Sequence, residues 1–331
     1  MQVSNLLFTK SAANALQSWC HEKGFESIYF LCDTNTYQYC YPVFKEISDN
    51  VIVIPSGETH KQLRMIETII EQLVAFGAKQ NHLLVNLGGG VVTDIGGFAA
   101  SIYRRGMKCV NVPTTLMAMA DAAIGGKTGV DHQHLKNYIG TFYQAEMVLI
   151  STEFLATLPY EEFISAWAEM IKTGAILDAG LFKMIEEDAL LDDILKRCAE
   201  CKQSVVQMDV FDRSHRQLLN FGHTIGHAYE SHYLNISRPV KHGIAVAKGM
   251  MAELEIAKTS GYLTETEATR IQSLIQTKMS VEPMTLAEWT EVKKLLWADK
   301  KNTGTDITFS LPLAIGKGKF GIKMKEEEIK I

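Results

Sequence analysis

The chain has 331 residues, 47% of them hydrophobic and 21% charged, the values of a soluble protein long enough to bury two cores. A formal net charge of −5 offers no global basic field to nucleic acid or an anionic membrane, so any anionic substrate must be held by local cations. The longest apolar stretches, such as Leu83–Leu87, fall far short of the roughly 20 residues that span a bilayer. The N-terminus shows no basic start, long apolar run or small-residue cleavage site, so the expected compartment is the cytoplasm.

Short β-branched runs alternate with helical patterns up to about Ile150. Ser27–Cys32, Val51–Ile54, Leu83–Leu87, Val110–Val112 and Met147–Ile150 read as buried strands, and Lys61–Phe76 reads as a helix stopped by Gly77. Strand, helix and strand in repetition predict an α/β domain over 1–150, a Rossmann-like, doubly wound parallel sheet. From Ser151 the strand signal fades. Amphipathic stretches at Glu161–Leu177, Leu181–Asp209, Gln217–Tyr233, Gly243–Ser260, Glu265–Lys278 and Leu286–Lys294 predict a mainly α-helical domain over 151–331. Near its end, Asp306–Leu311 reads as a strand that Pro312 terminates.

Six scattered cysteines read as reduced thiols, because a chain of this length needs no disulfide framework. Cys198 and Cys201 form a C-x-x-C inside a helical pattern, with no second pair to complete a zinc site.

Gly88-Gly89-Gly90-Val91-Val92-Thr93-Asp94 follows a strand and opens a helix. Glycines there let backbone N–H groups close on a pyrophosphate, whose charge favours the helix start. The pattern is not G-x-G-x-x-G, and tight packing alone can produce it. Asp33, Glu58 and Lys61 follow other strands, and Thr114 and Thr115 follow the next. Each can be a turn or cap residue, yet all fall at strand C-terminal ends, where ribose and phosphate find polar partners.

Arg216, Asn220, His223 and His227 recur at spacings of four, three and four, with Asp212 one turn before, which predicts one polar face of one helix. Two histidines at i, i+4, then His242, form an unusual supply of imidazole. In Ala168-Glu-Met-Ile-Lys172, Glu169 and Lys172 stand on an otherwise apolar helix, and buried charges need partners such as a divalent cation. Spacing leaves open whether His223 or His227 is the ligand. Ile124-Gly-Gly-Lys-Thr-Gly129 resembles the tail of a P-loop, but Ala120 stands where that motif needs its first glycine. Lys127 has cationic company in Arg104, Arg105, Lys136, Lys172, Lys202, Arg216, Lys300 and Lys301, which suggests a site for phosphate and carboxylate groups.

The glycine run to Asp94, Pro113-Thr-Thr-Leu116, Ile124 to Gly129, Lys136-Asn137, Ala168 to Lys172, Leu219-Asn-Phe-Gly-His-Thr-Ile-Gly-His-Ala228, Lys241-His-Gly243 and Asp299-Lys-Lys301 together resemble the 3-dehydroquinate synthase family, in that family's order and over nearly the whole chain. The resemblance implies a dehydroquinate synthase-like fold and a cyclase that turns 3-deoxy-D-arabino-heptulosonate 7-phosphate into 3-dehydroquinate and phosphate, with NAD and zinc or cobalt. It implies metal ligands Glu169, His223 and His242, and gives His227 to the substrate phosphate. Asp121, Lys127, Asn137, Lys172, Lys202, Arg216, Asn220 and one of Lys300 and Lys301 would contact the substrate. Asp33, Glu58, Lys61, Gly89, Gly90, Val91, Asp94, Thr114, Thr115, Lys127 and Lys136 would line the cofactor. Arg105 would reach the substrate of a neighbouring subunit, which makes a homodimer functional. A small sugar phosphate is the implied partner, with no nucleic acid or membrane.

The chain departs from the family pattern at Asp212, where glutamate is expected, and at Ala122-Ala123, where serines are common. Other sugar-phosphate cyclases and metal-dependent polyol dehydrogenases share parts of the pattern. Lys202, Arg216 and Asn220 favour a substrate bearing a carboxylate.

Overall fold

Apolar, β-branched runs with both faces buried form the middle of a parallel sheet. The computed structural model describes residues 3–133, 135–296 and 306–329, and the chain divides into two compact units, Met1–Pro159 and Tyr160–Ile331. The first contains β1 (Asn5–Phe8), α1 (Ala12–Lys23), β2 (Ile28–Asp33), α2 (Thr34–Tyr39), β3 (Val51–Ile54), α3 (Leu63–Ala75), β4 (Leu83–Gly88), α4 (Gly90–Ile102), β5 (Lys108–Pro113), β6 (Lys127–His132), β7 (Leu135–Phe142) and β8 (Met147–Ile150). Thr152–Thr157, a 3-10 turn, closes this unit.

Six parallel strands lie in the order β1-β8-β5-β4-β2-β3. The chain leaves β2 for β3 on one side, then returns to place β4 on the other. The C-terminal ends of β2 and β4 therefore mark a topological switch point, where open α/β sheets bind ligands. On one face, Leu31, Ile52, Ile54 and Leu84 pack with Ile66, Ile69 and Leu73 of α3 and Val92 and Ile95 of α4. On the other, Phe30 meets Tyr41 and Phe44, and Phe44 meets Phe154.

The sequence reading omits two features of this unit. β1 is a four-residue, half-buried strand with too few residues to show a period. The antiparallel hairpin β6–β7 is mostly solvent-facing and polar along β7, so it lacks the apolar alternation that marks a strand. Glycine makes its pairing close: a Cβ at Gly140 would stand 2.0 Å from the Thr128 carbonyl oxygen. Lys127 begins this strand and not a helix, which removes the P-loop likeness.

The second unit holds α5 (Tyr160–Leu177), α6 (Ala179–Glu186), α7 (Leu191–Met208), α8 (His223–Asn235), α9 (His242–Thr259), α10 (Glu265–Met279), α11 (Leu286–Leu295) and an antiparallel pair, β9 (Asp306–Ala314) and β10 (Lys317–Lys325). Three expectations change here. The run Leu181–Asp209 is two helices, because Asp188 turns left-handed at φ 53 and the Ala189 N–H closes on the Met184 carbonyl. The run Gln217–Tyr233 is also broken. His215–Asn220 is a 3-10 turn, Phe221 is extended and Gly222 is left-handed at φ 78, so α8 begins only at His223. Arg216 and Asn220 thus do not share one α-helical face with His223 and His227, and Asp212 sits in a loop at φ 56. Finally, Pro312 does not end β9, which runs on to Ala314. Pro312 falls at a register shift opposite Gly318 in a two-stranded sheet, whose open edge tolerates a missing N–H.

Asp209 shapes the break before Arg216. Its carboxylate accepts the N–H groups of Arg213 (3.0 Å), Ser214 (2.6 Å) and Arg216 (3.2 Å). Burial opposes its ionisation, but these donors outweigh it and hold the acid at about 2, below its ordinary 3.8.

Glycines let the helices approach. A Cβ at Gly249 of α9 would stand 2.0 Å from the Gly222 carbonyl oxygen, one at Gly226 of α8 2.9 Å from that of Ala245, and one at Gly243 1.8 Å from that of Ser165 on α5. Among the described residues, no helix is long and apolar enough to cross a membrane.

Two predictions follow from this packing. Gly249→Ala forces backbone apart and should cost about 1–3 kcal/mol, read by urea unfolding of the metal-free protein; unchanged stability would show that the helices do not meet at this seam. Asp209 has a depressed folded pKa, so its contribution is complete above about pH 4 and is lost as pH falls towards 2. The stability gap between the parent and Asp209→Asn should therefore shrink by about 2 kcal/mol between pH 6 and pH 2, and a pH-independent gap would refute the assignment.

Candidate active site

In the second unit, α5 carries Glu169 on its buried face at 1% exposure, one turn before Lys172 at 2%. The Lys172 ammonium pairs with Glu169 Oε2. Glu169 Oε1 faces two imidazoles, His223 Nε2 at 3.5 Å and His242 Nε2 at 3.6 Å. Neither carboxylate oxygen accepts a well-formed hydrogen bond, although both are buried. The donor atoms of Glu169, His223 and His242 all lie within 4.8 Å of one another.

Each imidazole is aimed by its other nitrogen. His223 Nδ1 lies 3.2 Å from the Phe221 carbonyl oxygen, and His242 Nδ1 lies 3.7 Å from Glu230 Oε2. Such outer partners fix the tautomer and leave Nε2 to a ligand. Burial and the Lys172 charge hold His223 well below the ordinary histidine range, so its imidazole is neutral. Burial favours the protonated form of Glu169, but Lys172, His223 and His242 overcome it and keep the acid ionised. His242 is 39% exposed at its side chain. Burial lowers its affinity for a proton, yet Glu169 and Glu230 prevail and push it up to about 9. One carboxylate oxygen and two imidazole nitrogens, with polar atoms short of partners, fit a divalent cation with positions left open.

His227, one turn along α8, packs edge-on against His223 with ring centroids 5.3 Å apart, and stands 6.1 Å from the His242 ring. Lys202 of α7 and Arg216 are both buried, at 6% and 4% exposure, and Arg216 donates to the Val210 carbonyl at 3.1 Å. Asn220 is half-buried at the end of the 3-10 turn. Lys300 and Lys301 lie outside the described residues. Cys198 is buried and Cys201 donates to Asp178 Oδ2 at 3.3 Å, so the C-x-x-C pair serves helix packing and forms no disulfide.

In the first unit Asp33, Gly89, Thr114 and Thr115 stand at the C-terminal ends of β2, β4 and β5. Gly89 caps α4, whose opening turn (Gly90, Val91, Val92) contains no acid. A Cβ at Gly88 would stand 2.5 Å from the Val92 side chain, and one at Gly89 3.0 Å from Thr115 Cγ2. Thr114 N–H donates to the Gly88 carbonyl at 3.1 Å, and Thr115 Oγ1 accepts from Ala118 N–H at 3.2 Å. Asp33 acts as a helix cap, accepting from Thr36 N–H at 2.8 Å.

Lys61 is 4% exposed and clasps three groups, Asp94 Oδ2 at 2.7 Å, Asn137 Oδ1 at 2.5 Å and Glu58 Oε1 at 3.8 Å. Burial disfavours its charge, but the carboxylates of Asp94 and Glu58 raise its pKa. Asp131 completes a ring, donating its N–H to the Lys61 carbonyl at 2.7 Å and accepting that of Asn137 at 2.7 Å. Asp121 lies in the π-helical turn Ala118–Ala122. That turn is anchored through the Ala123 carbonyl, which accepts from Asn111 Nδ2 at 3.1 Å, and Asn111 Oδ1 accepts from Asn86 Nδ2 at 2.9 Å. Lys127 and Lys136 are exposed on the hairpin, and Arg105 is exposed in the left-handed pair Arg104 and Arg105, at φ 49 and φ 65.

The sequence reading passes over Glu230, Glu253, Asp131 and Asp209. Glu253 shares the run from Ala245 to Ile256 with Glu255 and Lys248, so nothing in the sequence sets it apart, and a helix pattern does not name its partner.

A family model for the 3-dehydroquinate synthase N-terminal region matches residues 51–165, and one for the C-terminal region matches residues 166–302. The 3-dehydroquinate synthase of Parabacteroides distasonis is 34% identical over 341 residues, covering 99% of this chain and 96% of its own length. That of Synechocystis sp. is 41% identical over 303 residues, covering 88% and 81%. Among solved structures, ValA, the 2-epi-5-epi-valiolone synthase from Streptomyces hygroscopicus with NAD+ and Zn2+ bound, matches with a TM-score of 0.86 at 26% identity, over 99% of this chain and 95% of its own. A 2-deoxy-scyllo-inosose synthase complexed with carbaglucose-6-phosphate, NAD+ and Co2+ matches at 0.87 and 22% identity, over 98% and 95%, a likeness of fold. On both family models and on relatives above 30% identity along almost its full length, the chain belongs to the 3-dehydroquinate synthase family, lyases of the shikimate pathway.

Proposed function

We propose that the chain converts 3-deoxy-D-arabino-heptulosonate 7-phosphate to 3-dehydroquinate and inorganic phosphate, with NAD and a zinc or cobalt ion, as a cytoplasmic homodimer. The observation that carries the reading is the convergence of His223 and His242 on the buried Oε1 of Glu169, with the three ligand atoms within 4.8 Å of one another. The NAD+ and divalent metal bound in ValA support the cofactors, and the glycine turn at the switch point is the matching feature of this chain.

Bound NAD would supply a reversible hydride acceptor, and the cation would lower the pKa of a carbinol. The residues divide the remaining work. Glu169, His223 and His242 hold the cation. Lys172 pairs with the second oxygen of Glu169, and burial, aided by the Lys172 charge, keeps His223 unprotonated. Lys202, Arg216 and Asn220 receive the substrate carboxylate, the first two as buried cations that an anion would stabilise. His227 and one of Lys300 and Lys301 receive the phosphate, with Arg105 from the neighbouring subunit. Asp121, Lys127 and Asn137 meet the substrate hydroxyls. Gly89, Gly90, Val91, Thr114 and Thr115 line the dinucleotide phosphates, and Asp33, Glu58, Lys61, Asp94 and Lys136 its polar rim. By holding one conformer of the open-chain intermediate, the site would favour ring closure by proximity.

The test is phosphate release from the heptulosonate phosphate alongside sedoheptulose 7-phosphate, each with and without chelator. Release from the first alone, abolished by chelator and with no net change at the nicotinamide absorbance, is expected. Sustained NADH accumulation would mark a dehydrogenase instead, and preference for sedoheptulose 7-phosphate would mark a different cyclase. A second measurement separates the histidines. Metal analysis should find His242→Ala stripped, while His227→Ala binds within about tenfold of the parent; equal loss in both would refute the ligand set.

A further inference from the structure

α8 starts without a local cap. Gly222 occupies the N-cap position, where a side chain is excluded because a Cβ would stand 2.4 Å from Met250 Cγ and 3.0 Å from the Val246 carbonyl oxygen of α9. The first amides of a helix nevertheless need acceptors. They find one across the seam. Glu253, three turns into α9 and 0% exposed, accepts the Gly222 N–H on Oε2 at 2.6 Å and the Ile225 N–H on Oε1 at 3.1 Å. His223 lies between these two amides as the first residue of α8. α9 itself begins with His242. A single helix thus carries one imidazole at its start and, through Glu253, grips the backbone that aims another.

We propose that Glu253 is a positioning residue for the metal centre, a carboxylate that sets the orientation of His223 by capping α8 from the neighbouring helix. The inference rests on the reading of Glu169, His223 and His242 as metal ligands. The position demands a carboxylate and not merely a polar group, because both oxygens accept. Glutamine has the same shape but turns an N–H2 donor towards one of two N–H donors, so one bond is lost and two donors oppose each other. A negative charge also suits the start of a helix. Orienting groups of this kind govern how well a ligand meets its ion although they never touch it.

The experiment is a Co2+ titration of metal-stripped, full-length protein, followed by the cobalt absorption bands and by the Co2+-dependent rise in Tm over each variant's own metal-free value. The parent should bind Co2+ with intact bands. Glu253→Gln should bind about 10–100-fold more weakly with altered bands, in the range typical of lost outer-shell partners. Ile185→Val, a core change on α6, should bind like the parent, which separates positioning from general loosening. Should Glu253→Gln not fold, Glu253→Asp, one methylene shorter, takes its place with the same direction expected. Parent-like affinity and bands in a folded Glu253 variant would overturn the proposal, as would equal weakening in Ile185→Val. A parent that binds no Co2+ would remove the ligand reading itself, and the inference with it.

Discussion

An ionised carboxylate at 1% exposure is the constraint on which the second unit depends. A charge taken out of water is tolerated only where cations surround it, and losing one of them would leave it uncompensated. Glu169 meets that condition with Lys172 from its own helix and His242 from α9, while the neutral His223 of α8 turns a ring nitrogen to the same oxygen as His242. The glycines follow from this. Gly222, Gly226, Gly243 and Gly249 permit backbone to meet backbone, and longer side chains there would hold the imidazoles away from the acid. Packing and electrostatics are in this sense one requirement, since the close seam has value because of the charge it serves.

The first unit reaches a polar site by a different route. Its sheet supplies backbone amides at a switch point, and the edge is then trimmed with side chains whose hydrogen bonds are largely spent on local structure, Asp33 on a helix cap and Thr115 on the next turn. Lys61 is the exception. It is buried beside two carboxylates and an amide, and the ring through Asp131 and Asn137 fastens the α3 approach to the hairpin.

The sequence made the central strands legible because both their faces are buried, and it made the long helices legible because one face is. β1 was too short to show a period, and the hairpin β6–β7 too exposed to show one. The polar stripe from Arg216 to His227 was visible as chemistry but misread as geometry. Spacing assumes a continuous helix, whereas Phe221 and Gly222 break it, and a positive φ at glycine leaves no mark on hydrophobic periodicity. Glu253 was illegible for a different reason, since its partners are backbone amides of another helix and no side chain records them.

The scaffold does not select the substrate. Similar folds belong to synthases of deoxy-inosose and of valiolone, at identities where only architecture is shared or little more. Selection must therefore rest on side chains that the scaffold leaves variable. Arg216 and Lys202 are two buried cations of the second unit. Each loses hydration when enclosed and must be held by polar partners, as the Arg216 guanidinium is by the Val210 carbonyl. Asp209 strengthens the point by fixing the Arg216 backbone with a carboxylate already satisfied by N–H donors, so that its charge steadies the turn. With its backbone N–H held by Asp209 and its guanidinium bonded to the Val210 carbonyl, Arg216 keeps one direction, and a planar guanidinium fork pairs better with a carboxylate than with a hydroxyl.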